Sequence, residues 1–183
     1  MSRFDTRNPE PPAIGQVAII PFEEEFDTFT TLKALDNLTT CLIIKPNAKW
    51  STSYFKFCGG MLVAGEQLDF RVAAQRELRQ ETGITCPIGR FHKILRTQKL
   101  QFAPYTGEFD VVLYVAFGCD FSKMFDPLYQ EAGDEGEESA LVRFGDITEP
   151  QKSWPIPTRP QDEAEMFGLH QKWLRQVEYN QSK

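Results

Sequence analysis

Two periodicities alternate along the chain. Short apolar, β-branched runs lie at Gln16–Ile20 and Leu38–Lys45, and aromatic residues flank a lysine in Tyr54-Phe-Lys-Phe57. Such runs predict strands, which turn successive side chains to opposite faces. Phe91–Leu95, Phe109–Phe117 and Ala140–Phe144 predict three more. Between Asp69 and Gly83 the period changes. Phe70, Ala74 and Leu78 recur at every fourth position with Ala73 beside them, which predicts a helix with one apolar face. Asp69 is placed to cap its start and Gly83 to stop it. A second helix is predicted from about Gln161, where Thr158-Arg-Pro-Gln161 matches a capping box. Met166, Leu169, His170, Trp173, Leu174 and Val177 give it an apolar stripe. Strands mixed with one central and one terminal helix predict a compact α/β sandwich.

The residues between these elements are read as connections. Residues 1–14 are polar and hold Pro9, Pro11 and Pro12, which predicts a flexible arm before a single domain over 15–183. Glu23-Glu24-Glu25 is read as a solvated loop, and Gly59-Gly60 as the end of the third strand.

Composition narrows the class. A hydrophobic content of 41% with 15 Phe is that of an ordinary globular chain. The net charge of −6 argues against a long nucleic-acid track, though it leaves room for a local basic pocket. No stretch approaches the roughly 18–20 apolar residues of a membrane span. The opening MSRFDTRNPEPP has no apolar core of a signal peptide. Cys41, Cys58, Cys86 and Cys119 lack the paired C-x2-C spacing of zinc or dithiol sites. They are read as free buried thiols in a reducing cytoplasm.

The candidate chemistry lies in residues 59–84, GGMLVAGEQLDFRVAAQRELRQETGI. Glu77 and Glu81 are four apart, so a helix stacks them on one face with Gln80 beside them. Like charges so placed repel unless a cation lies between them, and oxygen-only ligands suit Mg2+ or Mn2+. Gly59-Gly60 lets the backbone pass close to that helix, so a carbonyl there can add another oxygen. Arg76 can neutralise or orient the carboxylates, directly or through Glu66. The same residues also suit a solvated helix face, since exposure is the default for charge. Spacing alone leaves both readings open.

The segment resembles the Nudix box, G-x5-E-x7-R-E-U-x-E-E-x-G-U with U aliphatic. Gly60 and Glu66 match its opening, and Arg76, Glu77, Leu78, Glu81, Gly83 and Ile84 match its second half. There are two departures. Nine residues rather than seven separate Glu66 from Arg76, and Gln80 stands where the pattern has a glutamate. The amide weakens attraction for a divalent ion while still offering a carbonyl oxygen.

The resemblance implies a Nudix-like α/β/α sandwich with a mixed sheet, a central catalytic helix and a C-terminal helix. It implies Mg2+ or Mn2+ held by Glu77 and Glu81, supported by Gln80 and Gly60, with Glu66 and Arg76 in catalytic roles. The implied reaction cleaves the pyrophosphate of a nucleoside diphosphate linked to another moiety, such as a nucleotide sugar or ADP-ribose. The alternative is a Nudix-fold ligand-binding or regulatory module with weak or no hydrolysis. A further catalytic carboxylate is expected on a late loop, and Glu131-Ala-Gly-Asp-Glu-Gly-Glu-Glu138 occupies that place. Glu135 and Glu138 are preferred there, with Glu131 and Glu137 behind them; a solvated acidic turn is the competing reading. Family members are often dimers, so the resemblance allows a homodimer. The expected partner is a small nucleotide rather than nucleic acid or membrane.

Substrate-binding residues stay unassigned. Phe22, Phe102, Tyr105 and Trp154 can stack a base but suit core packing or a surface role better. Ser153-Trp-Pro-Ile-Pro157 reads as a proline-stiffened loop. Arg90, Lys93, Arg96 and Lys99 follow the box and can meet phosphates or serve solubility. His92 and His170 read as structural.

Overall fold

The computed structural model describes residues 15–25, 37–44, 55–102, 105–131 and 138–144. Within them the strands sort into two sheets. β1 (Gly15–Pro21), β4 (Cys58–Met61), β5 (Phe91–Phe102) and β6 (Tyr105–Ala116) pair in the order β4-β1-β6-β5. β1 runs parallel to β6, and the other two pairings are antiparallel. The sheet is therefore mixed, as expected. β2 (Thr39–Ile44), β3 (Phe55–Lys56) and β7 (Glu138–Arg143) form an antiparallel sheet in the order β3-β2-β7. The helix α1 (Phe70–Thr82) lies against β4 and β1.

Alternation along the strands divides the core. Val17 and Ile19 of β1, Cys41 and Ile43 of β2, and Val112, Tyr114 and Ala116 of β6 point to one face. There they meet Ala73, Ala74 and Leu78 of α1. The intervening Ile20, Leu42, Leu113 and Val115 join Phe22, Phe57, Phe117 and Phe144 in a second cluster. Period two in the strands and period 3.6 in the helix thus converge on the same buried layer.

Three expectations need correction. Gly59-Gly60 does not end a strand; both glycines lie in β4, opposite Ala18 and Val17. The chain instead leaves one sheet at Lys56 and joins the other at Cys58, with Phe57 buried at the crossing. β5 and β6 also run well past their apolar runs, because ladder hydrogen bonds belong to the backbone and continue through polar residues. Finally, Glu138 begins β7 opposite Ile44 rather than lying in a loop. The arm over 1–14, the helix from Gln161, Glu135, Glu137, Trp154 and His170 lie outside the described residues.

Candidate functional site

Both ends of α1 form as the sequence predicts. Asp69 caps its start in an extended conformation, its carboxylate accepting from the Arg71 N–H at 3.0 Å. Gly83 ends it with φ 78°, and a Cβ there would meet the Lys123 carbonyl oxygen at 2.3 Å. The helix turns Glu77 and Glu81 inward with Ala73, Ala74 and Leu78, leaving them 1% and 0% exposed. Charge is rarely buried without a partner, since desolvation costs several kcal/mol per ion. The solvated-face reading therefore fails for these two residues.

Arg76 answers one part of that charge. Its Nε and Nη2 donate to the two carboxylate oxygens of Glu66 at 2.9 and 2.8 Å. Nη1 donates to Glu77 at 2.8 Å and to the Gln80 carbonyl oxygen at 2.9 Å, while Nη2 also reaches the Met61 carbonyl at 3.0 Å. Burial works against the guanidinium's charge, but the Glu66 hydrogen bonds and the charge of Glu77 outweigh it and raise its pKa. Glu66 is itself buried and accepts from the Val63 N–H at 2.7 Å. A 3-10 turn at Glu66–Leu68 lies in the longer stretch before Arg76, and Glu66 still reaches the guanidinium.

Lys56 answers the other part. Its ammonium lies 3.3 Å from each carboxylate oxygen of Glu81 and donates to the Phe57 carbonyl at 2.9 Å. The Gly59 N–H donates to Glu81 Oε2 at 3.0 Å. Gly59 has φ +152°, and a Cβ there would stand 2.1 Å from the Val17 carbonyl oxygen. Of the Gly59-Gly60 pair expected to let the backbone pass close, Gly59 is the one this approach requires, and its N–H meets the carboxylate. Lys56 is a site residue the sequence reading missed, since a lysine set between two aromatics carries no periodic signal.

The late segment meets the other end of the helix. The last four carbonyls of α1 accept from the N–H groups of Gly83, Glu131 and Phe125 and from the Gln130 side-chain amide. Glu131 is therefore anchored at Gln80, and the Gln80 side-chain amide also donates to its carboxylate. Of the four acidic candidates, Glu131 is the one whose contact with the helix is described, although it ranked behind Glu135 and Glu138.

Two other groups of candidates go elsewhere. Phe22 is core, stacked on Phe117 at 5.7 Å and edge-on to Phe144 at 5.4 Å. Arg90 pairs with Glu25 at 3.2 Å. His92 packs against Phe117 at 5.7 Å, as a structural residue would.

The fold has its counterpart in a known family. The NUDIX domain family matches residues 27–165. This chain belongs to the Nudix family. Solved Nudix structures share the fold. The NUDIX domain of Shewanella oneidensis NrtR, solved with ADP ribose, superposes with a TM-score of 0.54 at 13% identity, covering 92% of this chain and 95% of that one. An ADP compounds hydrolase gives 0.53 at 18%, covering 89% and 74%. A MutT NUDIX hydrolase of Burkholderia pseudomallei gives 0.51 at 14%, covering 83% and 95%. No curated protein matches the chain. As a Nudix hydrolase, the chain is a pyrophosphohydrolase.

Nudix hydrolases generally use divalent metal ions, and the donor chemistry here fits one. Glu77, Glu81 and Gln80 offer oxygen donors of the kind a hard divalent cation takes, although among the described residues no three His, Cys, Asp or Glu side chains are grouped to hold an ion. The nearby Cys58 thiol donates to the Glu77 carbonyl at 3.5 Å. Burial, then the charge of Glu81, raises its pKa well above the ordinary thiol value. Among the described residues, no helix is long and apolar enough to cross a membrane.

Proposed function

We propose that this Nudix hydrolase cleaves the pyrophosphate of a nucleoside diphosphate linked to another moiety, with Mg2+ or Mn2+ as its cofactor. A nucleotide sugar or ADP-ribose is the preferred substrate class. The observation that carries the proposal is the buried pair Glu77 and Glu81 on one face of α1, clamped by cations rather than solvated. Glu77 and Glu81 would hold the metal, with the Gln80 and Gly60 carbonyl oxygens as further donors. When bound, the ion neutralises diphosphate charge and lowers the pKa of water.

The remaining work belongs to the chain. Arg76 positions Glu77 through its direct bond and fixes Glu66 through a two-point contact. A proton acceptor must come within about 3 Å of the attacking water, directly or through one more water. The acidic segment 131–138 supplies it. Glu131 is joined to Gln80 at its start, and Glu135 and Glu138 follow. The free thiols of all four cysteines support a cytoplasmic setting, and a homodimer is part of the proposal.

The second reading is a Nudix-fold binding module with feeble hydrolysis. Gln80 motivates it, because its carbonyl oxygen already accepts from Arg76. The two readings separate in a hydrolysis panel of nucleotide sugars, ADP-ribose, NADH, dinucleoside polyphosphates and nucleoside triphosphates. The enzyme reading expects turnover of a diphosphate-linked compound in Mg2+ or Mn2+ that stops with EDTA. A compound that raises thermal stability without being cleaved supports the module instead.

A further inference from the structure

We propose that Lys56 is a resident counter-cation of the metal site, holding Glu81 when the divalent ion is absent and competing with that ion for the carboxylate. The inference rests on the metal reading above. Glu81 is fully buried, and both of its oxygens lie 3.3 Å from the Lys56 ammonium. The Lys56 side chain is only 9% exposed. Lys56 sits at the end of β3, immediately before the chain crosses to β4 and delivers the Gly59 N–H to the same carboxylate. Strand, crossing and glycine together aim an ammonium at the residue expected to bind metal.

The chemistry of exchange follows from this placement. A lysine carries a compact point charge on a flexible stem, so it can leave a carboxylate without disturbing the backbone. A divalent ion that takes an oxygen of Glu81 must displace or crowd the ammonium, because like charges in a buried site repel strongly. Metal affinity is then set by the difference between two cation contacts. Arg76 has no comparable freedom. Its planar fork is shared among Glu66, Glu77, Gln80 and the Met61 carbonyl.

The test measures Mn2+ binding by electron paramagnetic resonance of the free ion, on the full chain and on Lys56→Met. Removing the competitor is expected to lower the Kd for Mn2+ about tenfold or more. Metal-free Lys56→Met should also melt lower than the parent and recover more of its stability as Mn2+ is added. A Kd within about twofold of the parent, in a Lys56→Met chain with native circular dichroism, overturns the proposal.

A second measurement needs no variant. In reductive methylation mapped by mass spectrometry, Lys56 should be protected without metal and react faster at saturating Mg2+. Equal labelling in both states overturns the proposal. Glu81→Gln separates this inference from the reading beneath it. If the parent and Glu81→Gln bind Mn2+ equally, the metal assignment fails. If Glu81→Gln weakens binding while Lys56→Met leaves it unchanged, only the role of Lys56 fails.

Discussion

At the scale of single residues, the site is a problem of buried charge solved by hydrogen bonds. Glu66, Glu77 and Glu81 are all nearly or fully inaccessible, and Arg76 and Lys56 reach them from two sides. Arg76→Lys keeps the charge but loses the planar fork, so it cannot bridge Glu66, Glu77 and Gln80 at once. Its kcat in Mg2+ should fall on the order of 100-fold, with thermal stability reduced as well; steady-state kinetics checks this. The buried thiols give a second prediction. Burial, then the charge of Glu81, pushes the Cys41 pKa from 9.0 to about 12. The fold thus favours the protonated thiol. Its stabilising contribution is full below about pH 9 and declines as pH rises toward about 12. Urea midpoints should fall across that window, and iodoacetamide at pH 8 should spare Cys41 until the chain unfolds. A fully alkylated native protein would contradict this. The glutamate–arginine cluster was legible in the sequence because helical spacing and a motif both pointed to it. Lys56 was not legible, because the crossing between sheets that aims it at Glu81 leaves no periodic signal.

At the scale of elements, α1 carries the site and its ends fix its position. The cap, the apolar period and the terminal glycine all survive from sequence to structure, since each is a local requirement. Asp69→Ala should cost about 0.5–2 kcal/mol by removing the cap. Gly83→Ala combines the left-handed φ with a Cβ pressed on the Lys123 carbonyl, so its cost should be about 1–3 kcal/mol. Denaturant melts of both variants check the ranking, and equal midpoints would count against the packing described. What the sequence could not reveal is how residues 121–131 return to satisfy the carbonyls at the end of α1. Those bonds join segments about 50 residues apart, and most of their donors and acceptors on the helix end are backbone groups that every sequence carries. The contact of Glu131 with Gln80 belongs to the same return of the chain.

At the scale of the whole molecule, the −6 charge is partly concentrated rather than spread. Part of it is buried on α1 against two cations, and part lies in the acidic stretch that begins at Glu131. A divalent ion that binds only the folded state should stabilise it, by about 2.7 kcal/mol at a hundredfold excess over Kd. Thermal melts with and without Mg2+ should show that shift in the parent and a diminished one in Glu81→Gln. Strand and helix periods foresaw an α/β sandwich, and the family resemblance implied its mixed sheet. The division into two sheets was not foreseen, because pairing partners are chosen by tertiary packing. The central claim is that the buried carboxylates of α1 make this chain a metal-dependent pyrophosphohydrolase. The most direct measurement is hydrolysis of ADP-ribose and nucleotide sugars in Mg2+ by the parent and Glu81→Gln side by side. The account predicts turnover by the parent and a loss on the order of 100-fold or more in the variant. Equal turnover by the two proteins would contradict it.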